Sequence, residues 1–210
     1  MGADGIETDV RITADGQAVL YHDGDLLRMT GEKGAVEDYT LAELRELNVT
    51  KNGFSDKIVT LEEFLRLFSF RDIRFAIELK GENAEKETAR LLRKYDMASK
   101  TTVTSFNKKY LINFRELAPE FDTGFLTFIE TDELFSSMKE IGIGEFCPLA
   151  DMVTKEKVEL WHSMGFSVRA WGVHSPELMR QVYFAGADGM TVNFPDKLTA
   201  YIKEISEKQS

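Results

Sequence analysis

From about residue 70 onward, apolar and polar positions alternate in a regular rhythm. Short runs rich in β-branched and aromatic residues predict strands at RFAIEL (74–79), TTVTSF (101–106), TGFLTF (123–128), GEFCPL (144–149), SVRAWGV (167–173) and DGMTVN (188–193). Amphipathic stretches of helical length lie between them, at 84–95, 107–117, 131–140, 154–164 and 176–185, with a last one at 196–207. These linkers are too long for hairpins and suit parallel crossovers. Repeated β–α units of this kind build an open doubly wound sheet or a closed (β/α)8 barrel. No Gly-x-Gly-x-x-Gly follows any of the strands, which argues against a dinucleotide-binding sheet.

The opening is patterned differently. Two strand-like runs, GIETDVRI and QAVLYH, are separated only by Thr13-Ala14-Asp15-Gly16. With Asp15-Gly16 as a two-residue type I′ turn, and as turn chemistry only, Ala14 pairs with Gln17, Ile12 with Val19, Val10 with Tyr21, and Asp9 with His22. In that register Val10, Ile12, Val19 and Tyr21 form an apolar face, while Asp9 and His22 are direct neighbours on the other, with Glu7 two residues along. A slip of one residue would separate them.

Residues 24–70 read as a small insertion. Thr40-Leu41-Ala42-Glu43 and Thr60-Leu61-Glu62-Glu63 are capping boxes, each opening a short helix with an apolar stripe. The first helix is expected over a barrel rim and the second as the crossover back to the sheet; both read as scaffold.

Charge narrows the choice of partner. The 210-residue chain is 43% hydrophobic with a formal net charge of −10. It is long enough to bury its core as a single domain, 1–210. The acidic balance argues against nucleic acid or an anionic membrane and suits a metal cation. Cys147 is the sole cysteine, so there is neither a disulfide framework nor a cysteine zinc site, and its apolar setting reads as a buried small hydrophobe. No signal peptide or membrane-spanning run is visible, and the chain reads as cytoplasmic.

A second chemical spot follows at Phe75-Ala76-Ile77-Glu78-Leu79-Lys80. Glu78 and Lys80 share a face at the C-terminal end of their strand, where (β/α)8 enzymes place their chemistry. Glu7, Asp9 and Glu78 then meet with His22 and Lys80. An all-oxygen carboxylate cluster suits a hard ion, Ca2+ or Mg2+, and the adjacent lysine suggests an anionic substrate such as phosphate.

These residues resemble the glycerophosphodiester phosphodiesterase family. The likeness runs in order through Gly5-Ile6-Glu7-Thr8-Asp9-Val10, Val19-Leu20-Tyr21-His22-Asp23, Thr40-Leu41-Ala42-Glu43-Leu44, Ile77-Glu78-Leu79-Lys80, Thr104-Ser105-Phe106, Ala170-Trp171-Gly172-Val173 and Ala187-Asp188-Gly189-Met190-Thr191-Val192-Asn193. It implies an α/β fold, a TIM barrel, that hydrolyses glycerophosphodiesters to glycerol 3-phosphate and an alcohol. It also implies a divalent cation on Glu7, Asp9 and Glu78, His22 as general acid/base and Lys80 on the phosphate. Trp171, by its own strand position beside the motif, reads as a substrate-binding residue lining the pocket or as one filling the barrel.

The chain departs from the family pattern at its start. The His-Arg-Gly strand and the helix after it are absent, and with them a second catalytic histidine and a phosphate-binding arginine. The resulting expectation is an N-terminally truncated barrel with seven of eight barrel strands, whose open edges favour a homo-oligomer. Asn193 stands where the family carries Asp. The rival reading is a catalytically impaired remnant that still binds cation or phosphodiester; a barrel isomerase or aldolase ranks last, because it leaves His22 beside two carboxylates unexplained. His162 reads as a packing or surface residue, His174 as a residue at a strand end facing the site, and Phe106 as packing.

Overall fold

The computed structural model describes residues 2–209, with nothing described of the Gln209 side chain. The chain forms two compact units, one of Glu7–Phe121 and the other of Asp122 onward with the described residues up to Ile6.

The first unit starts within β1 (Gly5–Ile12), at Glu7, and this strand pairs antiparallel with β2 (Ala18–Leu20). The register is Val10 with Leu20, Arg11 with Val19 and Ile12 with Ala18, one residue away from the expected pairing. Thr13 N donates to Gln17 O (2.9 Å) and Gly16 N to Thr13 O (2.9 Å), so three residues, Ala14 to Gly16, form the loop. Of these only Gly16 has positive φ (+77°), the conformation of a three-residue loop rather than a type I′ turn.

Two features select this register. Thr13 Oγ1 donates to Asp15 Oδ1 (2.6 Å), and the same oxygen accepts from Leu41 N (2.9 Å), so Asp15 ties the loop to the start of a later helix. Val19 and Tyr21 are buried with Leu26, Val36, Leu44 and Ile58 in a core roofed by the insertion. Burial on one face fixes register, and the one-residue slip turns Val19 and Tyr21 into that core.

Four elements follow: α1 (Leu27–Thr30), α2 (Leu41–Glu46), a hairpin of β3 (Val49–Lys51) and β4 (Phe54–Asp56), and α3 (Leu61–Phe68). Both capping boxes form, Thr40 with Glu43 and Thr60 with Glu63. The β3–β4 hairpin was not expected. Asn52 and Gly53 at its turn both have positive φ, the ordinary signature of a tight hairpin.

The remainder of this unit is β5 (Arg74–Leu79), α4 (Ala84–Lys94), β6 (Thr101–Ser105) and α5 (Lys108–Leu117). β5 and β6 are parallel, with Glu78 opposite Thr104, and the strand order here is β6-β5-β1-β2. Phe64 of α3 meets Phe75 of β5 edge to face at 5.9 Å, locking the crossover helix onto the sheet.

The second unit repeats the β–α step: β7 (Asp122–Thr127), α6 (Asp132–Ile141), β8 (Glu145–Pro148), α7 (Lys155–Ser163), β9 (Ser167–Val173), α8 (Pro176–Ala185), β10 (Gly189–Val192) and α9 (Pro195–Gln209). Its strands run in the order β7-β8-β9-β10 and are parallel at β7–β8, β8–β9 and β9–β10. Phe146 of β8 packs against Phe135, Trp161 and Phe166 from the flanking helices and loop. Thr131, Thr154 and Ser175 cap α6, α7 and α8 with their side chains. No described helix is long and apolar enough to cross a membrane.

Candidate active site

Alternation along β1 puts Glu7, Asp9 and Arg11 on one side of the strand. Lys80 N donates to Val10 O (3.0 Å), which brings the C-terminal end of β5 alongside β1. As a result Glu7, Asp9 and Glu78 each present a carboxylate oxygen within 4.8 Å of the others. Lys80 Nζ lies 2.8 Å from Glu78 Oε1 and 3.4 Å from Asp9 Oδ1, and 5.6 Å from the centre of the Phe106 ring. Phe106 therefore borders the lysine as well as packing.

Glu78 is buried, while the Asp9 and Lys80 side chains are 16% and 15% exposed. Burial pushes the Glu78 carboxyl above its usual range and outweighs the pull of Lys80; neighbouring Asp9 adds to the push. Burial also works against the Lys80 charge, but the two carboxylates more than offset it and hold the ammonium above its ordinary value. One ammonium among three carboxylates leaves the cluster short of positive charge. Its donors are all oxygen, so a hard divalent cation fits both the charge and the chemistry.

His22 sits differently from expectation. The backbone partner of Asp9 is Tyr21, whose N–H donates to Asp9 O at 3.1 Å, and His22 lies past the end of β2. Its ring Nδ1 is 2.8 Å from Asp23 Oδ1, and Arg11 donates to its carbonyl at 3.4 Å. Asp23 is in turn gripped by Arg28, Nε to Oδ2 at 2.6 Å and Nη2 to Oδ1 at 2.8 Å. The Arg28 guanidinium, then the His22 hydrogen bond, hold the Asp23 carboxyl far below the usual carboxylate range despite its burial.

Arg11 and Arg28 were not singled out from the sequence. Arg11 carries the β1 alternation one step beyond Asp9, so its place beside the site was open to reading. It also pairs with Glu37 at 3.0 Å, and a Cβ on Gly81 would stand 2.8 Å from Glu37 Oε1, so a side chain there would make the Glu37 carboxylate shift. Arg28 depends on how residues 23–28 fold back, for which no short-range signal exists.

Trp171 belongs to the second unit. Its Nε1 donates to Thr127 O (3.3 Å), and Phe128 stands edge-on to its ring at 4.8 Å. His174 is exposed, with Nδ1 3.0 Å from Gly172 O. His162 pairs with Asp188 at 2.8 Å. Cys147 is buried, as expected.

Comparison with known proteins agrees with this geometry. The Glycerophosphoryl diester phosphodiesterase family matches residues 1–197. The chain belongs to that family. It is 30% identical to a glycerophosphodiester phosphodiesterase of Bacillus altitudinis, over 97% of this chain and 88% of the relative. Among solved structures, a glycerophosphodiester phosphodiesterase from Parabacteroides distasonis superposes with a TM-score of 0.84 at 26% identity, covering 98% of this chain and 86% of that one. An Oleispira antarctica phosphodiesterase, solved in complex with the product sn-glycerol-3-phosphate, shares the fold at a TM-score of 0.87 and 22% identity, covering 96% and 86%. The fold class is the α/β TIM-barrel type, and the family is one of phosphoric diester hydrolases.

Proposed function

We propose that this phosphodiesterase hydrolyses small glycerophosphodiesters to glycerol 3-phosphate and an alcohol, with Ca2+ or Mg2+ held by Glu7, Asp9 and Glu78. The observation that carries the reading is the convergence of those three carboxylates within 4.8 Å of one another beside Lys80, in a chain of this family.

When bound, the cation offsets charge on the non-bridging phosphate oxygens and lowers the cost of the transition state. Lys80, anchored by Glu78 and Asp9, supplies a further fixed positive charge for the same phosphate. Its short reach between two carboxylates restrains the ammonium, so little reorganisation accompanies the reaction. His22 moves the proton. With Nδ1 engaged by Asp23, Nε2 is the nitrogen that exchanges a proton with the attacking or departing oxygen.

The test is release of glycerol 3-phosphate from glycerophosphocholine by the full chain, with Ca2+, with Mg2+ and with chelator. Metal-dependent release that disappears in Glu78→Gln supports the reading. Release that persists in chelator, or survives Glu78→Gln undiminished, refutes it.

A further inference from the structure

Arg28 bears on the acid–base histidine without touching it. It is bidentate to Asp23, one nitrogen to each carboxylate oxygen, and the oxygen that receives Nη2 is also the one facing His22 Nδ1. Exposure runs in an unusual order along this chain of contacts: the Asp23 side chain is 17% exposed, while Arg28 is 57% and His22 66% exposed. An ion pair that served only to tie down the surface would gain little and would have no reason to bury its acid between two exposed partners.

We propose that Arg28 is a positioning residue for His22, clamping Asp23 so that the neutral imidazole carries its proton on Nδ1 and keeps the Nε2 lone pair for catalysis. This inference rests on the reading of His22 as the acid/base group.

The chemistry follows from what each group can do. An ionised carboxylate only accepts hydrogen bonds, so the nitrogen facing it must donate. That selects one of two nearly equivalent tautomers and fixes the ring plane. A carboxylate held by a single partner still turns about its own bond, whereas two parallel bonds from a planar guanidinium hold it.

The frame around the clamp is itself fixed. Leu26 is fully buried, Leu26 N donates to Gly34 O, and Asp25 Oδ1 accepts from Leu27 N, which sets the single turn of α1 that carries Arg28. Arg11 holds the His22 carbonyl from the other side. The start of the insertion thus does more than pack: it orients a residue of the site.

The experiment uses the Mg2+-loaded full chain. Long-range 1H–15N spectra of the imidazole rings report the tautomer directly, and with three histidines in the sequence a His22→Gln variant assigns the signal. The expected result is an Nδ1–H ring in the parent. In Arg28→Gln the signal moves to a mixture of tautomers, and kcat for glycerophosphocholine falls about 10- to 100-fold, the usual range when a group orienting a functional histidine is removed. KM stays within about twofold, because the loss lies in the transition state, and Arg28→Lys recovers part of kcat.

An Nε2–H ring in the parent, a tautomer indifferent to Arg28→Gln, or a loss carried wholly by KM overturns the proposal. The two readings fail separately. If the chain cleaves no glycerophosphodiester, the phosphodiesterase reading falls, and the spectra still decide the clamp. If the tautomer responds to Arg28 while His22→Gln keeps full activity, the clamp stands and the assignment of His22 falls.

Discussion

The three clustered acids and His22, the proposed acid/base group, are held by different means. Glu7, Asp9 and Glu78 stand on neighbouring strands, and their convergence follows from a period of two on β1 and from the hydrogen bond that joins Lys80 to Val10. His22 stands on a loop, and its setting comes from a relay of side chains, Arg28 to Asp23 to His22. A strand fixes several residues with one ladder. A loop fixes one residue with several side chains, and each of them is a separate point of failure.

The largest expected effect tests the strand-borne half. Glu78→Gln removes one of three anionic donors and should cost about 10³-fold or more in metal-dependent turnover, since electrostatic stabilisation by a bound cation contributes several kcal/mol. It should also abolish any rise in melting temperature on adding Ca2+, which a thermal-shift titration measures. A variant that still melts higher with Ca2+ would remove Glu78 from the ligand set.

His22→Gln comes next, with an expected loss of about 10²- to 10⁴-fold in kcat. Because this ring lies outside the carboxylate cluster, the Ca2+-induced shift in melting temperature should stay intact. Loss of the shift along with activity would mean that the two halves are one unit.

Smaller effects sharpen the contrast through stability. Gly16→Ala places a side chain at φ +77° in open space, so strain alone should lower stability by about 1–2 kcal/mol, read from urea melts. Activity should change little, since β1 is also held by β5. The smallest effect is in acid. Asp23 has a depressed pKa, so it contributes stability that is present above the ordinary carboxylate pKa, about 4, and lost as pH falls below it. Asp23→Asn should therefore flatten the stability–pH curve on that acid side.

The regular part of the fold was legible because its signals are local. Caps at Thr131, Thr154 and Ser175 and the apolar runs of β5 to β10 each act within a few residues, and observed elements match the expected ones to within a residue or two at most ends. The carboxylate cluster was legible for the same reason, through the spacing of Glu7 with Asp9 and Glu78 with Lys80. The hairpin register was not. Asp-Gly occurs in two- and three-residue loops alike, and what chose between them was tertiary: the bond from Leu41 N to Asp15 and the burial of Val19 and Tyr21. The same slip took His22 from Asp9 and gave it to Asp23. The β3–β4 hairpin is a plainer miss, since Asn52-Gly53 carries a strong local signal inside a segment read only for helices.

Cys147 offers a clock. It is the chain's single thiol, fully buried on β8 with its Sγ 3.2 Å from Glu145 Oε2. A disulfide reagent can reach it only when that strand is uncovered. Its labelling rate, followed over hours in native buffer, therefore reports how readily the structure around β8 opens, with no engineered probe and no reference to catalysis.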